Sequence, residues 1–110
     1  MSHFSDRLFF RLALIGALAA AFGPKTKAIL INNPMNPAAK VFDRDELDFI
    51  ADLVKKHDAY AVCDDAYEHI LFDGREHASP FAADADLLAR GCLVSGFSKA
   101  FAMTGWRIGF

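Results

Sequence analysis

Asn36, Asp64 and Lys99 each stand shortly after a short apolar run of the chain. A polar residue after a single strand is unremarkable, because strands usually end in solvated loops. Three such groups of complementary type indicate a binding site, since an open parallel sheet binds its ligands beyond the carboxyl ends of its strands. A carboxamide, a carboxylate and an amine at one sheet edge therefore predict a site in which the lysine does covalent chemistry.

Pyridoxal phosphate is a cofactor whose requirements these residue types meet. It needs a lysine that forms a Schiff base, a carboxylate on its pyridine nitrogen, a donor to its ring hydroxyl and an anion clamp on its phosphate. Tyr67 stands three residues beyond Asp64 and is a candidate for the ring hydroxyl. Arg107 stands eight residues beyond Lys99 and is a candidate for gripping the phosphate with two parallel hydrogen bonds.

Other chemistries find less support in the sequence. The apolar run into Asp64 and Asp65 is similar to the acidic strand end that holds magnesium in nucleotide hydrolases, but no GxxxxGK[ST] loop occurs in the 110 residues. A GxSxG nucleophile elbow is absent as well, and Gly96 stands where an SxxK motif would need its serine.

The histidines and cysteines give no strong signal. His69 and His77 lie eight residues apart with two carboxylates nearby, which is a weak metal pattern, and we interpret both as surface histidines. Cys63 and Cys92 are too few for a disulfide framework, and we interpret them as buried free thiols in a reducing compartment. We accordingly predict no bound metal and a cytoplasmic location.

Three strands and two helices are predicted to position these side chains. The predicted strands are the apolar runs at residues 27–32, 59–63 and 92–95. One helix is predicted to begin at Asp43, where Glu46 completes a capping box, and a shorter one spans 84–90. This alternation predicts an α/β fold with a mostly parallel sheet. Because the strands are continuously apolar, we expect both sheet faces to be covered.

The apolar stretch near the start of the chain has two interpretations. As a signal peptide, it would have two arginines at its basic end and its cleavage site at 19–21. As a helix, it would end at Gly23 and pack a stripe of side chains on a sheet, namely Leu14, Leu18, Ala21 and Phe22. We favour the helix. Residues 12–22 are uncharged, but a membrane-spanning helix needs about 20 such residues.

The composition excludes several classes of protein. With 54% hydrophobic and 24% charged residues, the chain is too apolar to be disordered. Its net charge of −2 gives no electrostatic reason to expect a nucleic acid as partner. A length of 110 residues allows one small domain or a part of a larger one.

Three segments together resemble the signatures of one enzyme family. They are NPMNP at 33–37, DDAYE at 64–68 and SGFSKAFAMTGWRIGF at 95–110, and their order and separation also agree. The family is the class I/II aminotransferases, pyridoxal-phosphate enzymes of the aspartate aminotransferase superfamily. The resemblance covers residues 17–110 and leaves 1–16 as an unmatched N-terminal segment. It implies a partial three-layer sandwich, a fragment of the large, cofactor-binding domain of a fold-type-I enzyme.

The resemblance also implies a role for each candidate residue. Lys99 would carry the cofactor and move a proton between it and the substrate's Cα, and Asp64 would pair with the pyridine nitrogen. The remaining contacts would come from Asn36 and Tyr67 to the ring hydroxyl, and from Ser98 and Arg107 to the phosphate. The substrates implied are an amino acid and a 2-oxo acid, and the full-length family implies a homodimer.

Two departures from the family's pattern bear on cofactor affinity. Ala39 stands where members commonly have the glycine of Asn-Pro-Thr-Gly, and an alanine is expected to strain that turn. Gly96 stands where many members place a serine that helps to hold the phosphate, so one donor is expected to be missing.

Three functions stay open at this point. The first is transamination, and the second is another reaction on the same fold, such as a carbon–sulfur lyase or a decarboxylase. The third is a non-enzymatic truncated remnant. The family's Gly-rich phosphate loop and its substrate-clamping arginine are not found in the 110 residues, so we expect the isolated chain to be an inefficient enzyme. The incomplete helix layer is also expected to leave apolar surface exposed.

Overall fold

A three-stranded parallel sheet forms the centre of the computed structural model, which describes residues 2–82 and 84–110. The strands are β1 (Ala28–Asn32), β2 (Tyr60–Asp64) and β3 (Gly91–Val94), and they lie in the order β1-β2-β3. Each is within one residue of its predicted start and end. The chain is therefore an α/β unit with a parallel sheet, as the alternation of elements predicts.

Four helices accompany the sheet in the described part of the chain. The longest are α1 before β1 and α2 between β1 and β2, and α3 connects β2 to β3. Two short 3₁₀ turns lie before α3 and after α4. The bounds of the helices and turns are α1 Ser2–Ala21, α2 Arg44–Lys56, α3 Ala85–Ala89, α4 Phe97–Ala100, and the turns Pro80–Ala82 and Thr104–Trp106.

The predicted capping box begins α2. The Asp43 carboxylate accepts from the backbone N–H of Glu46 at 3.0 Å, and the Glu46 carboxylate accepts from the N–H of Asp43 at 2.9 Å. The Glu46 side chain is almost fully buried, and Lys40 Nζ lies 2.6 Å from its Oε1. The Lys40–Glu46 contact thus ties the loop after β1 to the first turn of α2. The two bonds between Asp43 and Glu46 satisfy two N–H groups that the start of a helix leaves unpaired.

The hydrophobic core lies between α2 and one face of the sheet. The apolar side of α2 is buried, and it packs with inward side chains of β1 and β2 and with Leu87 of α3. The buried members are Ile31, Phe42, Leu47, Ile50, Ala51, Val54, Ala59, Ala61, Cys63 and Leu87. This single cluster fixes the sheet beneath α2.

The opposite face of the sheet is open, so the expectation that both faces are covered is wrong for this chain. Leu30 is 71% exposed and Tyr60 62% exposed, and Val94 is exposed as well. The strand order explains this result. Right-handed crossovers that always step in the same direction place every connecting helix on the same face, and here both steps run from β1 through β2 to β3. The expected exposed apolar surface is therefore present.

The first helix forms as predicted. Leu14, Leu18 and Phe22 pack against the core, and α1 lies beside α2, but Ala21 is exposed and does not belong to the buried stripe. The helix ends before Gly23, whose N–H donates to the Thr26 hydroxyl at 3.0 Å. None of the helices in the described residues is long and apolar enough to span a membrane.

The two cysteines have different environments, and the expectation that both are buried is wrong for Cys92. Cys63 points into the core and is fully buried, while Cys92 is exposed on the open face. The pairing of Val62 with Cys92 explains this, because it places Cys92 on the sheet face that no helix covers. Burial raises the pKa of the Cys63 thiol to about 12.

Alkylation of the folded chain should therefore modify Cys92 and spare Cys63. The thiolate is the reactive form, and Cys63 lacks both solvent access and a readily lost proton. Treatment with iodoacetamide at mildly alkaline pH, followed by peptide mass spectrometry, should find one modified thiol when folded and two in denaturant. Protection of Cys92 in the folded chain would contradict the open sheet face.

Candidate functional site

The carboxyl ends of the three strands meet at one edge of the sheet. Asn32 pairs with Asp64 in the β1–β2 register, and Asp64 pairs with Val94 in the β2–β3 register. The backbone bonds continue one residue further, since the N–H of Asn33 donates to Asp64 O at 3.0 Å and that of Asp65 donates to Val94 O at 2.9 Å. The loops that carry the candidate residues therefore all begin at the same edge.

Asn36 and Tyr67, which lie on different loops, are brought into direct contact. The Asn36 side chain donates from Nδ2 to the Tyr67 hydroxyl oxygen at 3.0 Å. The backbone N–H of Asn36 in turn donates to Asn32 Oδ1 at 2.7 Å, which ties the loop to the last residue of β1. Two of the predicted cofactor contacts thus form one hydrogen-bonded pair at the sheet edge.

Lys99 joins this pair from the third loop. It lies in α4 with an exposed side chain, and its Nζ is 5.8 Å from the centroid of the Tyr67 ring. An ammonium over an aromatic face is attracted by about 0.5–1 kcal/mol at an exposed site. The lysine amine, the phenol and the carboxamide therefore share one place, although they are far apart in the sequence.

Asp64, the last residue of β2, is half-buried at the same edge of the sheet. Its Oδ1 accepts from the backbone N–H of Ala66 at 3.2 Å, which fixes the carboxylate over the turn that leads to Tyr67. Strand alternation places Asp64 on the same face as Val62 and Tyr60, which is the open face. Among the residues that the structure describes, the carboxylate bonds to its own loop and not to Lys99.

Ser98 and Arg107 are placed at the end of an antiparallel pairing. The last residues of the chain return along the segment after β3, so that Ser95 and Phe110 exchange two backbone hydrogen bonds and Gly96 bridges Gly109. The N–H of Phe97 then donates to Ile108 O at 3.2 Å, and Ser98 and Arg107 lie one residue beyond these two. The Arg107 side chain is exposed, and its Nη1 donates to Thr104 O at 3.0 Å.

A buried pair that the sequence did not reveal lies behind this edge. His77 Nε2 is 2.9 Å from Asp65 Oδ2, with the His77 side chain 18% exposed and Asp65 1% exposed. The interpretation of His77 as a surface residue is therefore wrong, whereas that of His69, whose side chain is 63% exposed, is confirmed. The sequence offered one sign of this pair. Asp65 comes directly after the apolar strand β2, where a second acidic residue is unexpected.

The surroundings of this pair are polar and confined. Burial raises the pKa of the Asp65 carboxyl, and the hydrogen bond with His77 partly offsets that rise. Glu68 adds a third side chain, and one ligand atom from each of Asp65, Glu68 and His77 lies within 4.8 Å of the other two. The carboxylates near His77 in space are therefore Asp65 and Glu68. They are not the two carboxylates that lie close to it in sequence and that suggested the weak metal pattern.

Asn33 is a second buried polar residue that sequence analysis did not single out. It is fully enclosed, and its Nδ2 donates to Ala78 O at 3.0 Å while its Oδ1 accepts from the Phe42 N–H at 3.0 Å. The carboxamide thus joins the loops on either side of it. Buried polar groups of this kind are costly unless they are hydrogen-bonded, so the loops are held in one arrangement.

A cavity of about 1180 Å³ opens beside Asn36 and Tyr67. Its walls are mainly apolar and come from α1, from the loop after β1 and from the loop after β2. Its charged lining residues are of both signs, namely Arg11, Lys40, Arg75, Asp43, Glu46 and Asp73. Space for a ligand is therefore available next to the hydrogen-bonded pair, while Asp64, Ser98, Lys99 and Arg107 lie outside the cavity wall.

Comparison with known proteins decides the family. The family model "Aminotransferase class I and II" matches residues 12–110. The chain belongs to this family. The three signature segments and the parallel sheet are thus those of an aminotransferase, as the resemblance implied.

The family's members include relatives with several substrates in their names. The chain is 44% identical over 94 residues to an aspartate aminotransferase of Musicola paradisiaca, covering 86% of this chain and 23% of that protein. It is 41% identical over 101 residues to aromatic-amino-acid aminotransferase 2 of Thermococcus litoralis, covering 92% of this chain and 25% of that protein. The chain thus spans about a quarter of the length of these relatives.

A solved structure agrees with the fold. The aromatic aminotransferase of Pyrococcus horikoshii superposes with a TM-score of 0.82 at 41% identity, over 86% of this chain and 25% of that one. The sheet and its helix layer are therefore those of the matching part of a fold-type-I aminotransferase.

The strain that we expect at Ala39 is present. Ala39 has φ of +53°, in the left-handed region that alanine occupies at a cost of roughly 1–2 kcal/mol. Its N–H donates to Met35 O at 2.8 Å, and the N–H of Met35 donates to Lys40 O at 2.8 Å. These bonds close the loop around Asn36 and hold the alanine in this conformation.

At Gly96 the backbone pairing itself limits what fits. A Cβ built on Gly96 would lie 3.3 Å from Ile108 O, which is a tight contact with the returning end of the chain. The serine that the resemblance leads us to expect at this position would need the paired segment to shift by a few tenths of an ångström.

Substitution Ala39→Gly should stabilise the fold. Relief of the left-handed strain exceeds the added chain entropy of glycine, and we expect a gain of about 0.5–1 kcal/mol in the free energy of unfolding. Urea denaturation should show a higher midpoint with an unchanged slope. The matched control is Ala38→Gly, which adds the same entropy at an exposed neighbour without positive φ and should not stabilise. Equal midpoints for the two variants would contradict the strain at Ala39.

Proposed function

We propose that this chain is the cofactor-binding part of a pyridoxal-phosphate-dependent aminotransferase, which passes an amino group from an amino acid to a 2-oxo acid. The observation that carries the proposal is the position of Lys99 Nζ over the Tyr67 ring, whose hydroxyl is bonded to Asn36. When bound, the cofactor supplies an aldehyde that condenses with an amine, with loss of water, and a ring that draws electrons from the substrate's Cα. An amine, a phenol, a carboxamide and a carboxylate at one sheet edge suit that group.

Lys99 is proposed to bind the cofactor and to move the proton. Its exposed side chain has a flexible stem, so Nζ can swing away from the Tyr67 ring without breaking a buried contact. As a free amine, Lys99 Nζ would be the base that takes the proton from the substrate's Cα and passes it to the cofactor.

Tyr67 and Asn36 are proposed to hold the ring hydroxyl of the cofactor. The Tyr67 oxygen accepts from Asn36 Nδ2, so its own proton is left to donate to a ligand oxygen. Asn36 is itself oriented by its backbone bond to Asn32. The pair therefore presents a fixed donor, which costs little reorganisation when a ligand arrives.

Asp64, Ser98 and Arg107 are proposed to hold the two ends of the cofactor. The Ala66 N–H keeps the Asp64 carboxylate over the β2 turn and leaves Oδ2 for a protonated pyridine nitrogen. Ser98 follows Phe97 and Arg107 precedes Ile108, the two residues joined by a backbone bond of the antiparallel segment, and a hydroxyl and a guanidinium are groups that bind phosphate.

The other properties of the enzyme are proposed from the family. Residues 17–110 are assigned to the large domain and 1–16 to a segment outside the signatures. A homodimer, an amino acid and 2-oxo acid as substrates, and a cytoplasmic location are proposed on the same basis. Transamination is favoured over lyase or decarboxylase chemistry because the relatives named above are aminotransferases.

Labelling with pyridoxal phosphate tests the role of Lys99. The 110-residue chain is incubated with the cofactor and reduced with borohydride, and the modified peptides are mapped by mass spectrometry. We expect Lys99 to be modified in preference to Lys25, Lys27, Lys40, Lys55 and Lys56. The Lys99→Arg variant should lose the main label, whereas the control variant Lys56→Arg should keep it. Even labelling over all six lysines would refute the assignment.

Substitution Tyr67→Phe tests the hydroxyl contact. Loss of one hydrogen bond, worth about 1 kcal/mol, should weaken pyridoxal phosphate binding by roughly five-fold. The affinity is measured by absorbance titration. The matched control is Tyr60→Phe, since Tyr60 is the chain's other tyrosine and lies exposed on the open face. Equal affinities for the two variants would argue against a cofactor contact at Tyr67.

A further inference from the structure

Tyr67 lies on a loop whose backbone, in the described part of the chain, is bonded to the rest of the fold near its two ends. We call residues 65–79, between β2 and the following 3₁₀ turn, the β2 loop. At its start, the backbone N–H of Asp65 donates to Val94 O, which extends the sheet by one bond. At its end, Ala78 O accepts from Asn33 Nδ2 and Ser79 O accepts from Arg44 Nη1 at 3.1 Å. These anchors fix where the loop leaves and rejoins the fold.

The buried Asp65–His77 pair joins the two ends of the β2 loop to each other. The 2.9 Å contact between His77 Nε2 and Asp65 Oδ2 closes the segment 66–76 into a ring, and Tyr67 is the second residue inside it. Asp65 is almost entirely removed from solvent, so its carboxylate depends on this partner. Burial raises the pKa of the Asp65 carboxyl, and the hydrogen bond with His77 offsets only part of that rise.

Short backbone bonds connect that closure to Tyr67. The N–H of Glu68 donates to Asp65 O at 3.0 Å, and the N–H of Ile70 donates to Tyr67 O at 2.8 Å. Tyr67 therefore sits inside two consecutive turns that begin at the buried carboxylate. The side chain reaches outward from these turns to Asn36 on the neighbouring loop.

We propose that Asp65 and His77 are positioning residues for Tyr67: by clamping the ends of the β2 loop, they hold the Tyr67 hydroxyl in place against Asn36 Nδ2. The positioning of the Tyr67 hydroxyl by this pair does not depend on a bound cofactor. Its catalytic meaning rests on the proposed function, because only then is the Asn36–Tyr67 pair a cofactor contact.

Amide hydrogen exchange, followed by NMR on the 110-residue chain without cofactor, tests the clamp. In His77→Ala, the Glu68 and Ile70 amides should exchange at least ten-fold faster than in the unaltered chain, while the amides of α2 change by less than about three-fold. In His77→Gln, whose side-chain N–H can still donate to Asp65, most of the protection should return. The matched control is His69→Gln, at an exposed histidine of the same loop, which should change nothing.

Two results would overturn the positioning role. One is equal acceleration in α2 and in the β2 loop, including outright unfolding of His77→Ala, which would make the pair a general stabiliser. The other is unchanged exchange of Glu68 and Ile70 in His77→Ala.

A double-mutant cycle on pyridoxal phosphate affinity separates this inference from the proposed function. If the clamp acts through Tyr67, His77→Ala should weaken binding about as much as Tyr67→Phe, and the double variant should be no weaker than either. Additive losses would contradict action through Tyr67. If the unaltered chain does not bind the cofactor while the exchange results hold, the proposed function fails and the positioning role of the pair stands.

Discussion

The parallel pairing of β1, β2 and β3 brings Asn32, Asp64 and Val94 side by side, and every feature of the site depends on that alignment. Parallel strands all end at the same edge, so loops that are 30 residues or more apart in the sequence begin one or two strand spacings from one another. The side chains that follow can then meet without a long excursion. The core beneath α2 is the source of this alignment, because it holds the covered face of β1 and β2 against one helix.

The same strand order leaves the other face of the sheet bare. Each right-handed crossover moves one strand onward, so α2 and α3 fall on the same side and the apolar residues of the opposite side meet solvent. Leu30, Tyr60 and Val94 are the visible consequence, and the contrast between Cys63 and Cys92 is another. Continuous apolar strands are typical of sheets that are covered on both faces, which is why the sequence predicted two covered faces. The chain spans about a quarter of the length of its relatives.

Around the site, buried polar bonds hold the loops together. Asn33 joins the loop after β1 to the far end of the β2 loop, and the Asp65–His77 pair closes the β2 loop on itself. Ala39 stays in a left-handed conformation because the bonds of Met35 close the turn around it. A buried polar group that loses its partner is costly, so these contacts select one loop arrangement where apolar contacts would tolerate several.

Local sequence determined a large part of this protein. The apolar runs predict three strands to within a residue, and the Asp43–Glu46 capping box locates the start of α2, since both depend on neighbours along the chain. The motifs around Asn36, Asp64 and Lys99 identify the family for the same reason. Tertiary structure alone decided that Asn36 bonds to Tyr67, that His77 is buried against Asp65 and that one sheet face stays open. These outcomes depend on which loops and helices meet in space, and residues that are distant in sequence carry no periodicity or spacing that reports such a meeting.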